Sequence, residues 1–399
     1  MVSKYGSLLS VPGSARLFAS ALVGRLPQGM SSLAILLLVR AATHSYAVAG
    51  VAVGANAFAT AACAPLVGRL VDRFGRARVL VPFACAQAAV YVGLTVAAEA
   101  GAGAGVLIAL PALAGALLPP IAPVVRVMLR EVFDEAVLDT AYALDAVLQE
   151  TVFIAGPLLV ALIIAVTSTD VAVALLGGVC VTGTTLFLRS PLVRSSANVG
   201  SRHERRSALA SPELRALLGP IALTGVGIGA VEVGLPSLAL HAGSRPASGV
   251  LLAVWSLGSM AGGLWYGAHV WHSTLVKRYQ LLLMGLVVCT APLIAAQSIA
   301  AGVVCSFLAG LAIAPVFSCQ YALVGRSATA GSETEAFTWV SAALIGGLAI
   351  GSAIGGAVIG PGGVSAPFVF GCLASLLATL IAVSFRGRVQ RPASETILD

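Results

Sequence analysis

One basic stretch between two apolar runs decides the fold of this chain: Gly68-Arg-Leu-Val-Asp72-Arg73-Phe-Gly75-Arg76-Ala-Arg78-Val-Leu80. Asp72 is the only acid in it, and four arginines surround that acid. Gly68 lets the end of the preceding helix approach a neighbour closely, and Gly75 permits a tight reversal. The stretch therefore predicts a short charged turn between two apolar helices.

The composition is that of a polytopic membrane protein. Of the 399 residues, 58% are hydrophobic and only 10% are charged, whereas a soluble domain carries about 25% charge. A membrane span needs roughly 20 apolar residues, so twelve spans with short loops fill the length. The predicted spans 1 to 12 are 15–40, 46–71, 79–98, 103–127, 139–166, 171–188, 214–240, 247–268, 279–298, 300–324, 335–360 and 364–385. No cleavable signal peptide is expected, because the first apolar run continues as a span.

The charged turn carries a family resemblance. Its pattern G-x-L-x-D-R-x-G-R resembles the loop between spans 2 and 3 of major facilitator superfamily transporters, and the matching residues are Gly68, Leu70, Asp72, Arg73, Gly75 and Arg76. Positive-inside anchoring alone is the alternative reading of a short basic loop. The resemblance implies an all-α bundle of twelve transmembrane helices in two pseudo-symmetric six-helix halves. It also implies a central cavity, lined mainly by spans 1, 4, 7 and 10, and alternating access. In the family, this acid is thought to hold span 2 against the N-terminus of span 11 when the protein opens outward.

Two features of the sequence agree with two six-span halves. Residues 189–213 form the one long polar link, and they separate an N-terminal bundle, 1–188, from a C-terminal bundle, 214–399. An offset of 195 residues superposes Gly68 on Gly263, Tyr142 on Phe337 and Gly156 on Gly351. Parallel six-span repeats build the two halves of the family fold. The acid is not repeated, since Gly267 stands 195 residues after Asp72.

The positive charges predict the orientation. If the N-terminus is cytoplasmic, the cytoplasmic loops and both termini hold 20 of the 23 Lys and Arg residues. Only Arg40 and Arg245 then lie on the other side, and Arg25 lies within a span. The positive-inside rule favours this orientation. We therefore expect a multi-pass protein of the cell's inner (plasma) membrane with both termini in the cytoplasm.

Small residues in spans 5 and 11 form the second motif. Span 5 contains Gly156-Pro157, whereas antiporters of the family have G-x-x-x-G-P-x-x-G-G there, so the match is incomplete. Span 11 repeats the spacing with Gly347, Gly351 and Gly355. Small residues spaced by four make a smooth helix face for close packing. Plain helix packing and an antiporter signature both remain open, and the resemblance implies that these helices meet between the halves.

Prolines and arginines mark the end of span 4. Pro119, Pro120 and Pro123, like Pro315 in span 10, are expected to kink their helices and open room for substrate or motion. Arg126 and Arg130 follow near the cytoplasmic end, and we assign them to the loop cluster of bases.

Ionisable groups inside a membrane are costly, so each is a candidate functional residue. Arg25 shares a helix face with Gln28 in span 1, and Asp145 shares one with Gln149 in span 5. Glu150 lies about 100° around from Gln149. We predict that Glu150 and Arg25 meet near mid-membrane and couple transport to protons; a permanently ionised structural pair is the alternative. For Asp145 a structural role is favoured.

The outer gate is a further prediction. Glu232 lies in the outer half of span 7, and Arg40 ends span 1 on the same side. We expect these two residues to contact each other when the protein faces inward, with Arg245 as the competing partner of Glu232.

The resulting function is secondary active transport. The closest subgroup is drug and metabolite efflux by proton antiport, so the resemblance implies proton-coupled export of a small organic molecule. The largely apolar spans favour an amphipathic substrate over a sugar. An uptake permease or facilitator and a non-transporting membrane receptor remain alternatives.

The expected partners are the substrate, protons and the lipid bilayer, without nucleic acid, and the protein is expected to be a monomer. No enzymatic site is expected, since the sequence offers no nucleophile–base pair and no phosphate-binding loop. No cofactor or metal site is expected either, because the seven cysteines all lie in apolar runs, without a C-x-x-C pair or a His at metal spacing.

Overall fold

The computed structural model describes residues 2–195, 207–244 and 247–384, and within these ranges the chain is all-helical. A short helix, Val2–Ser10, precedes the membrane domain. Twelve spans long and apolar enough to cross a membrane follow in the described ranges. They are Ser14–Thr43, Tyr46–Phe74, Arg76–Glu99, Ala104–Ala116 with Ile121–Val132, Glu135–Val166, Thr169–Arg189, Pro212–His241, Ala247–Ala268, Leu275–Thr290 with the 3₁₀ turn Ala291–Ala295, Ile299–Gly310 with Ile313–Ser327, Glu333–Gly362 and Ala366–Ser384. The predicted fold class is confirmed.

Spans 4 and 10 are each broken into two helices. Span 4 is interrupted at Leu117–Pro120, where two prolines supply no N–H for the helix. Span 10 is interrupted at Leu311 and Ala312, because Pro315 has no N–H to bond the carbonyl four residues earlier. Leu117 and Ala312 are 195 residues apart, so the interruption is part of the repeat. Span 5, by contrast, stays one helix through Pro157.

Every odd-numbered span begins, and every even-numbered span ends, at one end of the bundle. We call this the basic end, because among the described residues it has nearly all the Lys and Arg, while the opposite end has Arg40. The polar link also lies there: its described parts include the helices Pro191–Ser195 and Ala208–Ala210, whereas residues 196–206 lie outside the description.

The glycines of the small-residue motif pack within each half. A Cβ on Gly156 would lie 2.4 Å from the backbone of Gly29 in span 1. A Cβ on Gly347 or Gly351 would lie 2.0 Å from a carbonyl oxygen of span 7, and Gly355 packs against the same span. Spans 5 and 11 do reach the other half, but through other faces. The glycines themselves therefore serve close backbone approach inside each bundle, while spans 5 and 11 meet the other half, packing on spans 8 and 2.

The apolar core is shared at one end and divided at the other. One cluster of buried apolar side chains at the basic end draws on both halves and includes Phe18, Tyr142, Tyr321 and Phe337. Toward the opposite end, one cluster belongs to the first six spans and a separate one belongs to the last six. Over their described residues, spans 1 and 7 form no packing interface, whereas span 2 packs on span 11 and span 5 on span 8. The halves are thus joined at the basic end and apart at the opposite end.

Candidate functional site

Asp72 binds the start of span 11. Its Oδ1 accepts a hydrogen bond from the Thr334 backbone N–H at 3.1 Å, and its Oδ2 accepts one from the Glu335 N–H at 2.9 Å. The residue before this helix, Ser332, makes no side-chain cap of its own. A helix N-terminus has free N–H groups and positive dipole charge, both of which a carboxylate satisfies. The predicted contact is present, and it joins the two halves.

The neighbouring motif residues shape this contact. A Cβ on Gly68 would lie 2.4 Å from the Thr338 hydroxyl, so glycine is needed where span 2 meets span 11. Gly75 has φ of 88°, a left-handed conformation that glycine adopts without strain. Arg76 binds both carboxylate oxygens of Glu131 at 2.7 and 2.8 Å, and so fastens the turn to span 4. Arg73 lies over the ring of Phe74, with 5.0 Å from its Cζ to the ring centroid.

A salt bridge supports the same face of the basic end. Arg69 donates to Glu335 at 2.9 Å, and Ser207, at the end of the polar link, bonds to both side chains. The chain that joins the two halves is therefore attached where the halves touch.

A second contact, between spans 5 and 8, is related to the first by the repeat. Thr140 donates its hydroxyl to the carbonyl of Gly267 at 2.7 Å, and these residues stand 195 positions from Glu335 and Asp72. The N-terminal helix adds Tyr5, whose hydroxyl donates to the Leu264 carbonyl at 3.1 Å. Burial raises the pKa of Tyr5 to about 12, so this phenol stays a neutral donor at physiological pH. Two pseudo-symmetric contacts thus close the basic end.

Three buried charged side chains form a cluster between spans 1, 4 and 5. Asp145 of span 5 binds Arg25 of span 1 at 2.5 Å through Oδ1 and Arg126 of span 4 at 2.9 Å through Oδ2. All three side chains are at most 4% exposed. The helix packing explains the meeting, because Gly29 and Gly156 bring spans 1 and 5 into backbone contact one turn beyond Arg25.

Arg126 connects this charge cluster to the other half. Its Nη2 donates to the Tyr321 hydroxyl of span 10 at 2.9 Å, and its guanidinium lies 3.7 Å from the centre of that ring. A buried arginine over an aromatic face gains a cation–π attraction besides its hydrogen bonds. Tyr321 stands 195 positions after Arg126, so the cluster lies on the pseudo-symmetry of the two halves.

Two predictions about these charges are wrong. Arg25 pairs with Asp145, and not with Glu150. Arg126 is only 3% exposed and belongs to the buried cluster, and not to the loop bases. The cause of the second error is the break at Pro119 and Pro120, after which the final helix of span 4 turns its Arg126 face inward. The sequence did indicate a buried position for Arg126, because apolar residues flank it on both sides. These flanking residues, Val124, Val125, Val127, Met128 and Leu129, are all buried in the structure.

The remaining predicted polar residues lie around the cluster. Gln149, one turn beyond Asp145, is buried, and its Nε2 has no hydrogen-bond partner among the described residues. Glu150 is partly buried and faces the hydroxyl of Ser259 in span 8, which sequence reasoning did not select. That hydroxyl makes no hydrogen bond of normal geometry within the described chain. Glu232 is close enough to Glu150 for an electrostatic interaction across the two halves. Gln28 is partly buried one turn from Arg25.

The predicted pair of Arg40 and Glu232 is not formed among the described residues of this structure. Arg40 is exposed and lies over the ring of Tyr46, with 4.6 Å from Cζ to the centroid. Since spans 1 and 7 do not pack together here, the Arg40–Glu232 contact stays a prediction for the opposite state. The competing residue, Arg245, lies outside the described residues.

Comparison with known proteins agrees with this architecture. A family model described as Major Facilitator Superfamily matches residues 17–274. Comparison with curated proteins gives no significant match.

Solved structures share the fold at low sequence identity. The human organic anion transporter MFSD10 (TETRAN) superposes with a TM-score of 0.72 at 16% identity, covering 93% of this chain and 99% of its own. A bacterial homologue of the iron transporter ferroportin, in an outward-facing state, gives 0.76 at 14% identity, covering 94% and 99%. The proton:xylose symporter XylE bound to 6-bromo-6-deoxy-D-glucose gives 0.73 at 12%, covering 93% and 95%. At sequence identities this low, the structural similarity establishes the fold but does not identify the substrate.

Proposed function

Because the chain belongs to the major facilitator superfamily, we propose that it exports a small, amphipathic organic molecule by alternating access driven by proton entry. The observation that carries alternating access is the unequal core: the halves share one apolar cluster at the basic end and have separate clusters at the other. A rocking motion that exchanges these two arrangements exposes the buried charge cluster to each side in turn.

The basic end is the cytoplasmic end in this proposal. Nearly all the described Lys and Arg residues lie there, which is the arrangement that positive-inside insertion produces. The conformation is then outward-open, with Asp72 closing the cytoplasmic side. We further propose that residues 1–188 and 214–399 move as two units joined by the link 189–213, and that the protein works as a monomer in the plasma membrane.

Glu150 is the proposed proton carrier. It lies between the halves, partly buried and near both Ser259 and Glu232, and it has no ion pair within the part of the chain that the structure describes. An acid without a fixed cation can gain and lose a proton as its access to water changes. Asp145 is less suited to this task, because both of its carboxylate oxygens are already bound by arginines.

Everted membrane vesicles with an acidic lumen test the proposal. Proton-driven export appears there as saturable accumulation of a compound chosen by resistance profiling, and a protonophore abolishes it. Glu150→Gln should fold and bind the compound, but should lose accumulation driven by the pH gradient while retaining exchange. Full pH-driven accumulation by Glu150→Gln would remove Glu150 as carrier and point to Glu232.

An uptake permease or facilitator is the second candidate. The incomplete glycine pattern of span 5 favours it, since Val152 and Val160 stand where antiporters have glycine. It predicts flux that a protonophore leaves unchanged, or accumulation in vesicles of the opposite orientation. If the compound binds and yet no saturable flux occurs in either orientation, the protein is a receptor on a transporter fold.

A further inference from the structure

The buried charge cluster has more positive than negative charge. Arg25 and Arg126 share the single carboxylate of Asp145, one oxygen each. Glu150 faces Ser259 and forms no ion pair with either arginine among the described residues. Burying an uncompensated charge is expensive, so a surplus that is retained calls for a physical explanation.

The same cluster holds hydrogen-bond donors that are not used. Arg126 is satisfied by Asp145 and Tyr321. Arg25 uses only Nη2, and its Nε and Nη1 have no partner among the described residues. The amide Nε2 of Gln149 is likewise unpartnered and buried. Buried polar atoms are nearly always hydrogen-bonded, so the unpartnered donors of Arg25, and of Gln149 one helical turn from Asp145, indicate a missing acceptor.

We propose that the substrate carries an anionic group, such as a carboxylate, sulfonate or phosphate, that binds Arg25 and Gln149. An anion satisfies both requirements at once, since it accepts hydrogen bonds from these donors and neutralises the surplus charge. The site lies between spans 1, 4, 5 and 10, where Arg126 joins the halves through Tyr321. This inference rests on the proposed transport function and names the substrate class for it, in either direction of transport.

The charge balance also predicts how removal of Arg25 acts on stability. Arg25→Gln leaves Arg126 and Asp145 as a balanced ion pair, so the folded protein should keep its thermal stability. If Arg25 were only a structural partner of Asp145, the same change would lower the melting temperature markedly. The variant therefore separates a ligand-binding role from a structural one.

Thermal melting of the purified full chain in detergent tests the proposal. The probes are benzoate, benzenesulfonate and phenyl phosphate, compared with benzamide and benzylamine at equal ionic strength in sodium chloride. We expect the anions to stabilise the native chain with apparent affinities about tenfold tighter than benzamide or benzylamine. Arg25→Gln should abolish this preference, and Gln149→Met should weaken it.

The exposed Lys277 provides the matched control, since Lys277→Gln removes a positive charge far from the cluster and should leave the anion effect intact. Equal stabilisation by the neutral or cationic probes overturns the proposal, as does an anion effect that survives Arg25→Gln. Absence of any anion effect up to about 10 mM overturns it too, because so weak a site would not select a substrate.

Failure of this inference differs from failure of the proposed function. Saturable vesicle transport of a cationic or neutral compound, without anion binding, removes the substrate class and keeps the transporter. Anion binding that depends on Arg25, without flux in either vesicle orientation, keeps the site and removes transport.

Discussion

At the scale of single residues, this protein uses carboxylates to join parts that are distant in sequence. Asp72 caps a helix that begins more than 260 residues later, and it does so where Ser332 fails to cap that helix locally. Asp145 joins three spans through two arginines. The first contact lies at the basic end of the bundle, where the two halves meet. The second is buried between spans 1, 4 and 5.

Asp72→Asn tests the first contact. The amide lacks the charge that the N-terminus of span 11 attracts, so the closed basic end should lose about 1–2 kcal/mol. The ratio of the two conformations then shifts roughly five- to thirtyfold toward opening. Spin labels at positions 78 and 277, one in each half, report the distance distribution in a background without reactive native cysteines.

Arg73→Gln is the control for this experiment, since Arg73 belongs to the same turn but, among the described residues, its guanidinium lies against the adjacent Phe74 and forms no ion pair. It should leave the distances unchanged. An unaltered distribution in Asp72→Asn, together with normal flux, would show that the contact does not govern the conformation.

The acids of span 5 should differ in their effect on stability. Asp145→Asn leaves two buried arginines without their carboxylate, which typically costs about 3–5 kcal/mol. Glu150→Gln breaks no ion pair and should melt close to the native protein. Thermal melting of both purified variants decides the matter: similar losses in the two would mean that Glu150 also has a structural role.

At the scale of helices, glycine sets how closely spans approach. Span 11 lies against span 7 at Gly347 and Gly351, where backbone carbonyls leave no room for a methyl group. Span 5 lies against span 1 at Gly156 in the same way. These contacts give each bundle a rigid pair of helices, on whose other faces the contacts between the halves are built.

Two adjacent glycines of span 11 allow a matched test. A Cβ on Gly347 would lie 2.0 Å from the Ala222 carbonyl oxygen, whereas Gly346 has nothing within 4 Å. Gly347→Ala should therefore cost about 1–3 kcal/mol through forced displacement of the helices. Gly346→Ala should be neutral or slightly stabilising, since alanine favours a helix. Melting temperatures that fall equally in both variants would contradict the packing argument.

At the scale of the whole molecule, the conformation follows from where the apolar core is continuous. Buried apolar area stabilises the contact between the halves at the basic end. No corresponding shared cluster of described residues lies at the other end. A transporter that alternates must replace the first interface with a second of similar free energy, because otherwise one state would dominate.

The Arg40–Glu232 contact is the prediction for that second interface. Cysteines at these two positions should cross-link with a short bifunctional reagent only after the basic end opens, for example in Asp72→Asn. The cross-linked protein should lose transport and regain it when the link is cleaved. Equal cross-linking in the native chain and in Asp72→Asn would show that the contact does not report the inward-facing state.

The features that depend on local chemistry can be predicted from the amino-acid sequence alone. Apolar runs of about 20 residues predict the spans, prolines predict the breaks of spans 4 and 10, and Gly68, Asp72 and Gly75 predict the turn and its contact with span 11. The offset of 195 residues also places Arg126 and Tyr321 at equivalent positions of the two halves, and these two residues contact each other. All of these follow from residue type, spacing and the polarity of a helix end.

Which buried charges pair with each other, by contrast, depends on how the helices pack in three dimensions. Residue number gives depth at 1.5 Å per residue, so Asp145 and Glu150 differ by only about 7.5 Å, a difference that the long side chain of Arg25 spans. The choice between them depends on the rotation of span 5 about its axis. That rotation is set by the backbone contact of Gly29 with Gly156 and by the inward turn of Arg126 after the break of span 4. Both are packing results from residues distant in sequence, which no local pattern encodes.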